Sequence, residues 1–595
     1  MKKIFLIPTM ALLLGACVND SFTPGQDSGN EDSVKRSYLS VSIYSPVATR
    51  AGGGVYEDGE DNENKINSIR FFFFTESDTE CEVFKQTATG EYLSYIDWSP
   101  LENEIKPGDP EITVSKIAQA TLGINQPAQA ALPAKIIAVI NPTADILALN
   151  NPSLSDLTSL IDDYYTGLHD GNFLMTNSVY LDNLNNKIIA TPISAENLAS
   201  SKEEFENVNS ENPKKALNIY VERVLARVDF ALRLTEETNP SETIGEGETS
   251  YVIYKVSSPT VNGETKEIYV KLLGWNLTAT ANTSRLIKEI NSQWTDLFGN
   301  PNQPWNSADF HRSFWAVNPP ALEYSYGSFN TDSEAVGNDN PVLRNPIPAN
   351  ALANAYETVY VQENAADYLV GEKGLQPDGP ANPTKLILGA QLVDKTGAPL
   401  PLSYWANRYY LPDDLLIAAA NVLNIYQKKS DQEFVQIGSE YLQFVNTLGE
   451  GIELPDGEAE KGYYSYVQLK PTAQGETPIQ WYDGPSADKP LTIQQVNEYI
   501  LNRVNYVMVW STGKTYYYFD IKHLGTEDSY GEVGIVRNHL YKANLTSLKG
   551  LGTPVFNPNE VIYPETPDYD ENVLKVDINV LQWRIVSEDY DIVWP

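Results

Sequence analysis

Cysteine is nearly missing from this chain: Cys17 and Cys81 are the only two among 595 residues. No disulfide framework organises the fold, so its stability has to come from packing. Basic residues are scarce relative to acidic ones. The 42 Lys and Arg face 79 Asp and Glu, a formal charge of -37, which repels phosphate backbones and anionic lipid surfaces and excludes nucleic acid as a partner. Long apolar runs are absent beyond Ile4–Leu14, which is too short to span a bilayer. There are no heptads and no fixed-period repeat.

Enzyme signatures are missing as well. There is no Gly-x-Ser-x-Gly elbow and no His-Glu-x-x-His pair, and the four histidines, His169, His311, His523 and His539, are scattered. Gly513-Lys514-Thr515 has Met508 where a phosphate loop needs its first glycine, and the flanking strands make it a hairpin turn. Gly550-Leu551-Gly552 lacks the third glycine of a dinucleotide loop. The acidic loop Asp58–Glu63 lacks the spacing and turn glycine of a calcium loop. The expectation is a chain with no catalytic residue, no cofactor and no metal.

What is present begins with an address. Lys2 and Lys3 precede the Ile4–Leu14 run, and Gly15 and Ala16 stand before Cys17. This is the pattern of a bacterial lipoprotein signal, in which small residues fit the peptidase and the thiol carries the lipid. Residues 18–35 are polar and small, as in a flexible tether. Leu39, Val41 and Ile43 then alternate with Ser40 and Ser42, a strand with one apolar face. The segment PVATRAGGG that follows sets Arg50 and Ala51 among small residues. It reads either as a plain loop between strands or as a site open to an Arg-specific protease. A cut after Arg50 would release lipid, tether and one whole strand, whereas a cut at Arg36 would leave the strand in place.

Ile66–Phe74 is apolar on both faces, as in the middle of a sandwich. Leu157, Leu160, Ile161 and Tyr164 recur at helical spacing, which predicts one short amphipathic helix between Ser155 and Tyr165. The polar stretch Ser200–Lys215 is the expected domain boundary. It divides the chain into a signal (1–17), a tether with the first strand (18–50), an N-terminal sandwich (51–215) and a C-terminal sandwich with insertions (216–595). The second strand series opens at Leu217–Leu232, with Ile219, Val221, Val224, Ala226, Val228 and Phe230 as its apolar set, and its Pro, Gly and Asn spacing suits an antiparallel sandwich. Two helices interrupt it, at Pro412–Tyr426 and Thr492–Leu501.

The tail carries more strand material than a closing strand needs. Leu574, Val576, Ile578 and Val580 share one parity, while Leu581, Trp583 and Ile585 share the other, so a bulge is expected near Val580. Tyr590, Ile592 and Trp594 form a last alternating set. The sequence divides the tail into Leu574–Val580, which completes its own domain, and Leu581–Trp594, which is open to donation. Each large buried side chain contributes about 1.5–3 kcal/mol and each ladder hydrogen bond about 1 kcal/mol, so five or six plugs reach roughly 10 kcal/mol.

Several stretches together resemble a known family. They are the signal ending at Cys17, the Arg50 site after a first strand, FLMTNS at 173–178, YVERVLARVDF at 220–230, GWNLTATANTSRLIK at 274–288, HRSFWA at 311–316 and VQEN at 361–364. With them stand YYYFDIKHLG, GIVRNHLYKANLTSLKGLGTPV and VDINVLQWRIV near the C-terminus. The chain resembles the fimbrillins, the pilins of type V pili of Bacteroidia, and within them the large subunit of the short fimbria. The resemblance implies an all-β fold with minor helices, built as two transthyretin-like antiparallel β-sandwich domains, and no enzymatic activity. It implies an outer-membrane lipoprotein precursor lipidated at Cys17 and cut between Arg50 and Ala51 by an Arg-specific protease. The strand carrying Leu39, Val41 and Ile43 would leave with the propeptide. A neighbour's C-terminal strand, with Leu581, Trp583, Ile585, Tyr590, Ile592 and Trp594, would fill the groove. The implied partners are identical or related pilin subunits, anchor and tip subunits, the protease, and a host or bacterial surface ligand, in a cell-surface fimbrium. The alternative is a monomeric glycan-binding lipoprotein of the outer membrane, whose exposed Tyr and Trp would stack on sugar rings.

Overall fold

The computed structural model describes residues 34–584 apart from 45–55, 100–115, 165–172, 182–185, 206–212, 291–316, 330–344, 348–356, 365–382, 455–460, 524–533, 565–572 and positions 87, 248, 249, 321, 431 and 476. Cys17, Arg50, Ala51, Ile585, Tyr590, Ile592, Trp594 and the HRSFWA stretch lie outside the described residues. The fold is mostly β-sheet, with few and short helices.

The first half contains β1 (Val34–Tyr44), β2 (Tyr56–Asp58), helix α1 (Asp61–Asn64), β3 (Ile69–Phe74), β4 (Lys116–Pro127), β5 (Lys135–Ile140), helix α2 (Leu154–Thr158), β6 (Met175–Asn177) and β7 (Leu217–Arg223). The second contains β8 (Leu225–Leu232), β9 (Ile268–Thr278), β10 (Glu357–Gln362), β11 (Lys385–Val393), α3 (Pro412–Val422), α4 (Ile493–Val504), β12 (Lys514–Asp520), β13 (His539–Lys549) and β14 (Val573–Arg584).

In the N-terminal sheet the order runs β4-β1-β7-β6-β5-β3, ending on the short strand Tyr95–Trp98. Its apolar residues form a core in which Leu39, Val41 and Ile43 meet Phe71, Phe73 and Leu122. The alternate residues of β3, Phe72 and Phe74, pack on the opposite side with Leu154 and Leu157 of α2. That two-sided burial is why Ile66–Phe74 reads as apolar on both faces. C-terminally, one sheet runs β2-β14-β13-β8-β10 and the other has β9-β11-β12 at its centre, with Trp275, Leu388, Phe230 and Tyr541 in the core between them. Pairing is mostly antiparallel, with parallel pairs at β1–β7, β8–β13 and β2–β14. Parallel partners need long crossovers, and each of these pairs joins distant parts of the chain.

The structure differs from the sequence reading in four places. The chain does not pass between sandwiches at 200–215. β7 belongs to the first sheet and β8 to the second, so the crossing falls at Val224 between them. The apolar parity already changes there, from Ile219 and Val221 in the first core to Ala226, Val228 and Phe230 in another. The helix expected over 155–165 stops at Thr158. Thr158 and Ser159 hydroxyls donate back to the Ser155 carbonyl at 3.1 and 2.7 Å, which competes with helix extension. Ile161 then pairs with Arg285 as a strand. Helix α3 ends at Val422, because Tyr426 pairs with Tyr482 and Gln436 in a sheet. Finally, the irregularity opposite the tail lies in β13 between Leu545 and Ser547, and the register of β14 is continuous through Val580.

The insertion after Pro399 makes its own small core. Leu415 and Ala419 of α3 pack with Val496, Ile500 and Val504 of α4. Thr492 caps α4 in a reciprocal box with Gln495. The glycine-rich turn at Gly552 is structural. Its φ is +69°, and a Cβ there would stand 2.7 Å from the Tyr516 carbonyl.

Candidate functional site

Strand β1 is paired on one edge along its whole length and on the other from Tyr38 onward. One edge pairs with β4 from Val34↔Pro127 to Tyr44↔Lys116. The other pairs first with Leu198 and Ala199, then with β7 over Val41–Tyr44. Leu39, Val41 and Ile43 are 0–1% exposed. Ser40 and Ser42 on the other face are buried too, a burial their small side chains accommodate. Arg36 lies inside β1, opposite Asn125.

A second cluster occupies the seam between the two halves, and it is ionic. Glu63 of α1 is fully buried and accepts from Arg227 Nη1 at 2.9 and 3.1 Å and from the Tyr360 hydroxyl. Arg227 also donates to Asp229 at 2.8 and 3.1 Å. Burial works against the Arg227 charge, but Asp229 and Glu63 outweigh it and hold its pKa above the ordinary range. Arg223 donates to the Glu63 carbonyl at 3.2 Å and to Asn64 Oδ1 at 2.6 Å. Complete burial pulls its guanidinium down to about 9, with Glu63 opposing.

Deeper in the seam, Lys288 Nζ sits 3.2 Å from Glu222, and both side chains are essentially inaccessible. Burial raises the Glu222 carboxyl, while Lys288 and Arg537 oppose the shift. Arg537 donates to Glu363 at 2.6 Å, to the Leu286 and Arg285 carbonyls at 3.0 and 2.7 Å and to Ser284 Oγ at 3.2 Å. His539 is buried beside it, with Nδ1 2.8 Å from the Arg537 carbonyl. Desolvation pushes that imidazole down to about 4. A buried cation left alone is costly, and here each is matched by carboxylates or carbonyls. The cluster therefore neutralises itself and fastens β7, β8, β10 and β13 to one another. Among the described residues, no group of three or more His, Cys, Asp or Glu is placed to hold a metal ion.

These charges explain the stretches singled out from the sequence. YVERVLARVDF supplies Glu222, Arg223, Arg227 and Asp229, GWNLTATANTSRLIK supplies Ser284 and Lys288, VQEN supplies Glu363, and the C-terminal stretch supplies Arg537 and His539. FLMTNS supplies Ser178, whose hydroxyl donates to Glu222 at 3.3 Å. The sequence reading found no calcium spacing in the acidic loop and gave these charged residues no role. The available signal was the placement of Glu222, Arg223, Arg227 and Asp229 inside otherwise apolar strands, where an ion needs a partner.

The tail is paired further than the sequence divides it. β14 runs antiparallel to β13 up to His539↔Gln582, with Leu581 registered to Leu540. The Leu540 side chain lies in the N-terminal core, whereas Tyr541, Ala543 and Leu545 lie in the C-terminal core. On the Leu540 side the strand continues with the polar Lys542, Asn544 and Thr546, so only its start reaches the N-terminal core. Strand β2 adds a parallel pairing on the far edge of β14, with Tyr56↔Gln582, Glu57↔Trp583 and Asp58↔Arg584. The structure brings Leu581 and Trp583 into a home sheet, and it brings Leu39, Val41 and Ile43 together in the first core.

Residues 509–589 match the family model of the major fimbrial subunit protein type IV, fimbrillin, C-terminal. No curated protein matches the chain. Among solved structures it is similar to a fimbrilin (fimA) from Porphyromonas gingivalis W83, at 15% identity over 92% of this chain and 98% of that one, with a TM-score of 0.34. It is similar to the tip fimbrial protein Mfa3 from Porphyromonas gingivalis with C-terminal truncation, at 10% identity over 92% and 100%, with a TM-score of 0.30. A fimbrial assembly protein from Parabacteroides distasonis ATCC 8503 is similar at 12% identity over 56% of this chain and 97% of that one, with a TM-score of 0.23. The match to the fimbrillin C-terminal model covers residues 509–589, the stretch that carries Arg537, His539 and all of β14.

Proposed function

We propose that this chain is a structural subunit of a cell-surface fimbrium, exported as a lipoprotein through Cys17 and activated by proteolysis between Arg50 and Ala51. The freed subunits polymerise by strand donation and support adhesion. The observation that carries this reading is the position of β1. An 11-residue strand, paired on both edges from Tyr38 onward and plugging a core with Leu39, Val41 and Ile43, joins the rest of the chain only through the segment that contains Arg50. Removing residues 1–50 takes out an interior strand and leaves the edges of β4 and β7 without it. Unpaired edges beside an apolar slot demand a replacement strand.

Arg50 is the better site of the two. Arg36 is held in the β1–β4 ladder, and a protease needs its substrate locally unpaired. The two structural units then divide at Val224, with the propeptide ending at Arg50. Partners are identical or related pilins, including anchor and tip subunits, the Arg-specific protease, and a ligand on a host or bacterial surface.

The test treats purified precursor with an Arg-specific protease and examines unboiled samples by electrophoresis. A ladder is expected from the wild type, and none from Arg50→Ala or from a chain lacking residues 585–595. A trimmed monomer with no ladder would return the chain to the monomeric glycan-binding alternative.

A further inference from the structure

Strand β2 lies on the segment that immediately follows the proposed cut, and it pairs with the end of the strand that leads into the tail. Its three residues are registered to Gln582, Trp583 and Arg584. The pairing with β13 ends at Gln582, so among the described residues β2 is the only ladder neighbour of Trp583 and Arg584. Strand β2 is itself anchored. Helix α1 follows two residues after it and is pinned into the seam by Glu63 to Arg227 and Tyr360, and by Arg223 to the Glu63 carbonyl and Asn64. None of these contacts involves residues 1–50, so all of them outlast the cut.

We infer that β2 is a clamp at the root of the donated strand. It keeps β14 in its own subunit after processing, and the exported strand begins beyond Arg584. This rests on the strand-donation reading and sharpens it. Both edges of β14 are occupied at home at Gln582, by β13 and β2. Donation of Leu581–Arg584 would break both pairings and undo the sheet that holds the seam. The residues that follow Arg584 are left for export. They keep the alternating Tyr590, Ile592 and Trp594 that a slot vacated by Leu39, Val41 and Ile43 requires.

The clamp is tested with the precursor carrying Asp58→Cys and Arg584→Cys, oxidised to a disulfide after proteolysis and checked by mass. Registered strand neighbours are within disulfide reach. A lock between residues that never separate leaves the ladder within about twofold of wild type, whereas a lock between residues that must separate lowers it about tenfold or more. The expected result is an oxidised pair with an intact ladder. A ladder lost on oxidation and restored by reductant would overturn the clamp, because β14 itself would have to leave. Failure of the pair to oxidise would also overturn it, by showing that residues 58 and 584 are apart. Absence of a ladder in the cut wild type would instead sink the donation reading. As a second measurement, the amides of residues 56–58 should stay protected from hydrogen exchange in the polymer, and their loss of protection there counts against the clamp.

Discussion

Replacing Glu63 by Ala should be among the most damaging single changes outside the cores. The carboxylate is inaccessible and accepts two bonds from Arg227 and one from Tyr360, and Oε2 takes the Glu60 amide at 2.7 Å. Its loss strips Arg227 of one of two buried acidic partners and leaves the Tyr360 hydroxyl facing the vacated site. Breaking a buried pair costs about 3–5 kcal/mol. Asp229 remains against Arg227 at 2.8 Å, so the lower end applies, about 3 kcal/mol. Tyr360→Phe removes a single hydrogen bond to a charged group and should cost about 1.5–3 kcal/mol. In the double variant the two losses should fall short of additivity, since both remove the same bond. Urea unfolding of the purified precursor gives the energies, and hydrogen exchange at residues 56–64 reports the local effect. An E63A variant within about 1 kcal/mol of wild type, with residues 56–58 still protected, would refute the role assigned to this carboxylate.

The other predictions concern the slot, the cut and the seam. Leu39→Ala should destabilise the precursor by about 2–5 kcal/mol and leave the processed chain unchanged, because the strand is gone by then; equal losses in both forms, measured by thermal melts, would mean that β1 stays. Arg50→Lys should resist an Arg-specific protease but yield to trypsin, restoring the ladder; cleavage of this variant by the Arg-specific enzyme at another position would displace Arg50 from its role. His539 is neutral when buried, with its pKa lowered to about 4 from 6.5 by desolvation, the Arg537 carbonyl opposing and Lys288 assisting. Because the folded value lies below the unfolded one, its contribution is complete above pH 6.5 and is lost as pH falls towards 4, about 3 kcal/mol in all. Comparison of urea midpoints between pH 7 and pH 4 should show a flatter profile for His539→Gln than for wild type. Gly552→Ala should cost more than 1 kcal/mol, on the order of the strain of a left-handed residue against a backbone carbonyl, and a neutral result would show that the turn can shift.

The sequence by itself determined the character of the elements. Alternation wrote β1 into Leu39, Val41 and Ile43, two-sided apolarity wrote the central strand Ile69–Phe74, and Thr492 with Gln495 marked the start of α4. These are local properties, in which side-chain spacing and backbone period must agree before any packing occurs. The tertiary structure alone decided which elements meet. The polar stretch 200–215 looked like a boundary, but β7 and β8 divide at Val224, because adjacent strands can each find a better apolar face in a different sheet. The helix beyond Thr158 lost to a strand pairing with Arg285, a partner over a hundred residues away that no local pattern announces. The parity change in the tail was legible, but the register irregularity of this strand pair falls in β13 between Leu545 and Ser547, which no pattern in the tail announces. The charged stretches were visible as motifs, while their meaning as one self-neutralising seam depended on bringing Glu63, Glu222, Glu363 and three arginines within hydrogen-bond reach. An ion's partner is set by position in space, and sequence distance carries little information about it.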